Sequence, residues 1–418
     1  MSVVLGKLVI SIFLSVITFV LLFRKEKLSH FFAKNSSATL WVAWAGLRLI
    51  PFFVVYVGLH LAVKSDVIFF YNTAKLALEG FVVYRDFWQP YSPLFPYFNA
   101  LTLAIIDSPK SIIFLMMVYE LIAIFITRSL GNKQGKSVFY LVLYLTLSAP
   151  FIFLIFGGQE DIFLWLFIAL AISVYQKSKN PLYIGLVLAV GILCTKILLI
   201  IPIALLLIFS KARIKILAGL LIIGVPSLAC MLYLVGDKIL APLQLGDLPF
   251  APNLVSVISP VIGGINPQSK LLNWGGLLII LLGAGYYLRK LKSGNETNLL
   301  LFSFILTNMI TIIVHKNSLP NYLYTILLPV IFFFGEHFKT REWVLMLLLN
   351  IIGAVQPSLW YTLGGEYYDS FSTLTPLHWV EYTLQLVYLA LCVYFVRFLT
   401  MIGSGEIEAN NILADTQD

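Results

Sequence analysis

The sequence predicts an all-α, polytopic integral membrane protein, and three observations carry that prediction. Of 418 residues, 60% are hydrophobic and only 11% are charged. The mean hydropathy of +0.93 is one that a soluble domain of this size could not carry without precipitating. The apolar residues fall in runs separated by short polar stretches, many of them close to the ~20 residues that cross a bilayer.

The first span covers 8–23. Its basic group, Arg24-Lys25-Glu26-Lys27, follows the apolar run instead of preceding it, and no small-residue cleavage site is present, so the span reads as uncleaved. Further runs lie at 39–63, 111–128, 137–156, 160–176, 182–195, 197–210, 215–235, 271–288, 298–314, 321–335, 343–362 and 378–400. Together they predict about thirteen helices. Several are shorter than a full crossing, which is tolerated only where neighbouring protein covers the free backbone ends, and this points to a cavity. The chain reads as one transmembrane domain over 1–400, with a first outer loop at 64–110 containing interfacial helices. Residues 401–418, acidic and poor in large apolar side chains, read as a disordered cytoplasmic tail.

Orientation follows from the short loops. With the N-terminus outside and 24–38 inside, about twice as many Lys and Arg fall on the cytoplasmic side as outside. Both Asn-x-Ser/Thr patterns, at Asn35 and Asn295, then face the cytoplasm and say nothing about glycosylation. The net charge of +8 is spread in small clusters between apolar runs, the pattern of topology signals and not of a nucleic-acid surface. Three cysteines without paired spacing, Cys194, Cys230 and Cys392, exclude a disulfide framework and a thiolate zinc site.

Against this background the sparse charges are informative, because a carboxylate is costly in lipid. Asp66 stands just after the second span and precedes an amphipathic stretch containing Tyr71. A carboxylate fixed there and roofed by an interfacial helix suits a general base, while an Asp in that position also caps helices. Next comes Tyr84-Arg85-Asp86-Phe87-Trp88-Gln89-Pro90-Tyr91-Ser92-Pro93-Leu94. Aromatic faces beside an arginine suit a sugar ring and a phosphate, and the same composition also makes an interfacial aromatic belt. The fifth span opens with Gly157-Gly158-Gln159-Glu160-Asp161, two carboxylates at a helix N-terminus where the dipole favours them. Lys196 sits alone between two apolar arms, where a snorkelling role and an anion-binding role are both open. His315-Lys316 joins cations to the aromatics Tyr322 and Tyr324. Within the spans, Arg48 and Glu120 are ionisable outliers whose cheapest arrangement is to pair or to face a wet cavity.

The order of these features resembles the GT-C superfamily of integral-membrane glycosyltransferases that take sugar from a polyprenyl-phosphate donor. The elements that carry it are Asp66 after an early span, the Tyr91-Ser92-Pro93-Leu94 close of an aromatic outer loop, and the acidic Gln159-Glu160-Asp161 opening a helix. A Gly185, Gly191, Lys196 pattern leading to Pro202, and a late polar and aromatic segment reaching Leu328-Pro329, complete it. The nearest relatives look like the polyprenyl-phosphate-mannose-dependent mannosyltransferases of glycosyltransferase family 87.

The resemblance implies an inverting hexosyltransferase, with Asp66 as catalytic base. The donor is a polyprenyl-phosphate-linked hexose, most plausibly mannose, and the acceptor is a glycan or glycolipid. Lys196, Arg85, His315 and Lys316 would bind the donor phosphate. Tyr71, Tyr84, Asp86, Trp88, Tyr91, Gln159, Glu160 and Asp161 would hold sugar and acceptor on the extracytoplasmic side of the cell membrane. No cofactor and no obligatory metal is expected, since a monophosphate leaving group needs less neutralisation than a diphosphate. The competing expectation from another class is a lipid-sugar flippase or secondary transporter, in which Arg48 and Glu120 would matter and Asp66 would be dispensable.

Overall fold

The computed structural model describes residues 1–34, 36–131, 135–291 and 295–406. Among them every element is helical apart from one isolated bridge between Val83 and Phe87. α1 (Ser2–Phe23) turns at Arg24 into α2 (Lys25–Lys34), an amphipathic helix too polar to register as a span. α3 (Ser36–Gly58) contains two π-helical stretches, Ala45–Leu49 and Val54–Gly58, on either side of Pro51. Proline has no N–H to give the carbonyl four residues back. That carbonyl belongs to Leu47, and the Arg48 guanidinium donates to it at 3.0 Å.

The first loop holds α4 (Asp66–Leu78) and α5 (Phe95–Leu103), which pack on each other. α5 is too short and too isolated to stand out as a span. Ser108 caps α6 (Pro109–Leu130), its hydroxyl accepting from the Lys110 amide, and Pro109 starts the helix where a missing N–H costs nothing. α7 (Gly135–Thr146) and α8 (Ser148–Ile155) meet at a 58° break. Pro150 accounts for it by leaving the Thr146 carbonyl without an N–H. The Thr18 hydroxyl of α1 donates to that carbonyl at 3.2 Å, and Arg48 donates to the adjacent Leu145 carbonyl at 3.0 Å.

Three short apolar helices follow, α9 (Ile162–Ser178), α10 (Leu182–Cys194) and α11 (Ile197–Phe209), the last opening with a 3-10 turn. α12 (Arg213–Val235) continues into a 3-10 helix at Gly236–Asp247. The remaining long elements are α13 (Lys270–Leu288), α14 (Glu296–Val314), α15 (Leu323–Phe334), α16 (Thr340–Thr362) and α17 (Pro376–Gly403). Asn295 caps α14 by accepting from the Thr297 amide at 2.9 Å, a structural use for that Asn-x-Thr pattern. Asn35 lies outside the described residues.

Each of the thirteen apolar runs is helical to within a few residues. Among the described residues, eight helices (α1, α3, α6, α12, α13, α14, α16 and α17) are long and apolar enough to cross a membrane, and the bent α7–α8 pair makes a ninth if it is one span. The chain is a membrane-embedded, all-helical protein. α14 is central, with 89% of its most apolar window buried, and α12 is peripheral, with 11% buried and an apolar face turned outward. Helix α17 continues to Gly403, past the expected start of the tail at 401, and the remainder of that tail from 407 lies outside the described residues.

Both glycines of the Gly185–Gly191–Lys196 pattern prove to be packing devices, as does Gly219 facing the first. A Cβ on Gly185 would lie 2.0 Å from the Ile216 carbonyl oxygen, and one on Gly219 would lie 2.1 Å from that of Leu182, so α10 and α12 touch backbone to backbone. Gly191 likewise admits the Phe167 ring of α9. The buried outliers Arg48 and Glu120 pair with each other in a two-pronged contact, Nε to Oε2 at 2.7 Å and Nη2 to Oε1 at 3.0 Å, with the Tyr144 hydroxyl donating to Oε1 at 2.9 Å.

Candidate functional site

At the end of the bundle formed by the first loop, residues from four separate stretches of sequence make one polar cluster. Asp66 is the first residue of α4, and Ser65 before it, at φ 62°, makes no side-chain cap. Gly158 brings the α8–α9 turn against it. With φ +56°, a Cβ there would stand 2.2 Å from Val67, so only glycine lets this turn sit on the first turn of α4. Gln159 is thereby set beside Asp66 and donates its amide to Oδ2 at 2.9 Å. The Asn321 amide donates both to Gln159 Oε1 at 2.6 Å and to Asp161 Oδ2 at 3.1 Å.

Lys196 closes the cluster from the α10–α11 tip. Its ammonium donates to Asp161 Oδ1 at 2.7 Å and meets Glu160 Oε1 at 2.6 Å as an ion pair without an aligned hydrogen bond. The rings of Tyr91 and Tyr322 each lie 5.2 Å from the same ammonium, within cation–π range. The outer loop is laid on that tip by two backbone bonds, Ser92 N–H to the Thr195 carbonyl at 3.2 Å and Leu94 N–H to the Leu193 carbonyl at 2.9 Å.

Burial dominates the electrostatics. Glu160 and Asp161 are 2% and 0% exposed, and Lys196 is 15% exposed. Burial pushes the Glu160 carboxyl up to about 7, with Lys196 opposing and the charges of Asp161 and Asp66 adding to the rise. Burial raises Asp161 as well, against the pull of Lys196. The Lys196 ammonium, which burial alone would lower, is held well above its ordinary range by the two carboxylates. One proton shared by the two acids leaves the buried trio electrically neutral, the cheapest state for charges removed from water.

The other expected residues are distributed more widely. Tyr84 is buried and donates its hydroxyl to the Tyr91 carbonyl, which fixes the loop's shape. Arg85 and Asp86 pair with each other at the surface, Nε to Oδ1 and Nη2 to Oδ2 at 2.9 Å. The Val82 amide also donates to Asp86, and together these hold its carboxyl down to about 2. Trp88 is exposed and sits edge-on to Phe69 of α4 at 5.7 Å. Tyr71 points elsewhere, its hydroxyl donating to Asp107 at 2.7 Å beside Lys75.

His315 and Lys316 serve the loop that carries them. Lys316 is fully buried and its ammonium donates to the Pro267 carbonyl, while its own carbonyl accepts from Asn253 at 3.1 Å and from the Tyr367 hydroxyl at 3.0 Å. His315 accepts the Asn317 amide on Nδ1 at 3.3 Å, and burial lowers it to about 4.

Asn321 joins the cluster without having been marked by charge, and Tyr361, at the end of α16, lies within electrostatic reach of Asp66. The one available signal for Asn321 was its place in a polar segment opening a helix. Among the described residues, no group of three His, Cys, Asp or Glu side chains is arranged to hold a metal ion. No protein-family model, curated protein or solved structure matches the chain.

Proposed function

We propose that the protein is a membrane glycosyltransferase of GT-C type, with about thirteen transmembrane helices. It moves a hexose, mannose by preference, from a polyprenyl-phosphate carrier to a glycan or glycolipid hydroxyl on the extracytoplasmic side, with inversion. The observation that supports this reading is the convergence of Asp66, Gln159, Asp161 and Lys196 with Asn321 in one hydrogen-bonded cluster at the mouth of the bundle. Asp66 is exposed, so an acceptor can reach it, and Gln159 holds one of its oxygens.

Asp66 removes the proton from the acceptor hydroxyl as that oxygen attacks the anomeric carbon. The carbon–oxygen bond to the carrier breaks, and the electron pair leaves on the polyprenyl phosphate. Lys196, already engaged by two carboxylates, keeps the acidic pair in place. Transport is the weaker reading because Arg48 and Glu120, the charges it would use, are locked to each other and to the Leu145 carbonyl, fully buried. The test is incubation of the purified full-length protein with a panel of polyprenyl-phosphate sugars and an acceptor mixture, reading release of polyprenyl phosphate. Asp66→Asn should abolish release while donor binding survives, and near-normal turnover in that variant overturns the assignment.

A further inference from the structure

Helix α2 stands at the end of the bundle away from the cluster. α3 runs from Ser36 toward the first loop and Asp66, so α2, which precedes it, lies at the opposite end. It joins the last residue of one apolar helix, Phe23, to the first of the next, Ser36, which sets it at the level where acyl chains give way to headgroups. Its inner face is fixed to the protein. Phe32 stacks on Phe139 of α7 with ring centroids 6.3 Å apart, the Lys25 ammonium lies 5.4 Å from the ring of Tyr140, and Leu28 packs against the core.

The outer face is differently made. Lys27, His30, Phe31 and Lys34 occupy the i, i+3, i+4 and i+7 positions of one helical stripe, and all four are exposed. Phe31 is 61% exposed, and Phe23, at the end of α1, is 87% exposed. Lys27 and Lys34 form no ion pair among the described residues. Over 24–34 the cations Arg24, Lys25, Lys27 and Lys34 stand against a single carboxylate, Glu26. Arg128 of α6 adds another cation where α3 opens, two residues past Lys34. It donates from Nη1 to the Ser37 hydroxyl and from Nη2 to that of Ser36, and it has further N–H donors to give.

We infer that this face of α2 binds anionic phospholipid in the leaflet along which the helix lies, with Lys27 and Lys34 on the headgroup phosphates and Phe31 among the acyl chains. The surplus of positive charge selects an anionic headgroup over a zwitterionic one, since both carry a phosphate and only the first leaves its charge uncompensated. The exposed ring in the same stripe as the cations selects a membrane over a soluble acidic partner, because cations with an aromatic side chain are what a helix lying in the interface presents. Both ends of α2 are tied to apolar helices, so the surface is formed before lipid arrives. The inference holds whatever reaction the opposite end performs.

The test titrates the purified full-length protein, in a neutral detergent, with phosphatidylglycerol and reads bound lipid by native mass spectrometry. Parallel arms use phosphatidylcholine and glycerol phosphate. Phosphatidylglycerol should bind at least tenfold more tightly than either. A cation at an anionic surface is worth roughly fivefold in binding, so Lys27→Gln with Lys34→Gln should weaken it at least tenfold. Lys27→Arg with Lys34→Arg should bind as the parent does, and Phe31→Ser should lose several-fold. Lys211→Gln with Lys215→Gln removes the same charge from the exposed turn between α11 and α12 and should change binding less than twofold. Should the double α2 variant fail to insert, Lys27→Gln alone carries the test, with a loss of about fivefold. Unchanged binding in the α2 variants overturns the site, and so does an equal loss in the 211 and 215 variant. Phosphatidylcholine binding as tightly as phosphatidylglycerol removes the charge selection, and glycerol phosphate doing so reduces the surface to a site for free anions. Either result overturns the inference.

Discussion

Gln159 reaches Asp66 across 93 positions of sequence and holds Oδ2 with its amide N–H at 2.9 Å, while its own Oε1 is fixed by Asn321 at 2.6 Å. An amide anchored at one end presents its N–H in a single direction. The Asp66 carboxylate is therefore aimed, and not merely nearby.

Gln159→Leu removes the hand that aims it. The expected result is a loss in kcat on the order of 10–100-fold, since small misplacements of a reacting group cost that much, with KM little changed. An unaltered kcat in a folded variant would show that Gln159 only packs.

Lys196→Met leaves Glu160 and Asp161 buried with no cation. Breaking such a contact by removing one partner typically costs about 3–5 kcal/mol. The variant should melt well below the parent in the same detergent. Adding Glu160→Gln and Asp161→Asn to it should recover part of the loss, because no charge is then left uncompensated. Equal melting of the single and triple variants would argue against an ion-pair role.

The Glu160 carboxyl also gives the cluster a pH dependence with a defined sign. Its value rises from the ordinary 4.5 to about 7 in the folded chain. The folded state thus holds this proton more tightly than the unfolded one. Stability from it is complete below pH 4.5 and is lost as the pH rises through about 7. Parent protein should melt at a lower temperature at pH 8 than at pH 5, and Glu160→Gln should shrink that difference by roughly a few degrees. A difference untouched by the substitution would remove Glu160 as its source.

Glycines in two helices should behave oppositely. Gly185→Ala puts a methyl group 2.0 Å from a backbone oxygen that cannot move without shifting α12, and should strongly reduce the yield of folded protein. Gly224→Ala, in α12, meets nothing within 4 Å and should be neutral or slightly stabilising, as alanine is the better helix former. Thermal melts of the two variants side by side decide the point.

The helices were legible because apolar runs announce themselves by length, and even the pairing of Arg48 with Glu120 follows from the cost of lone charges in lipid. α2 and α5 were not, since neither is a long apolar run: the first is too polar and the second is only nine residues long. The convergence of Asp66 with Gln159 and Asp161 could be anticipated from their order, but their partner Asn321 carries no charge to mark it. Lys196 could not be placed from the sequence either. Alone in sequence, it looks like a cation waiting for an anion, and only the fold brings Glu160 and Asp161 to it. Lys316 is similar, its ammonium drawn to the Pro267 carbonyl by a contact that no local pattern encodes.

Asn321 lies 162 positions beyond Gln159, in the segment that opens α15. Helices leave the ribosome in order, so Asp66, Gln159, Asp161 and Lys196 enter the bilayer long before the residue that locks them together. Until α15 inserts, Asp66 is tethered by an amide free to swing, and the acidic pair lacks one of its donors. A chain cut short during synthesis would accordingly carry every charge of the cluster without the amide that ties its two halves together.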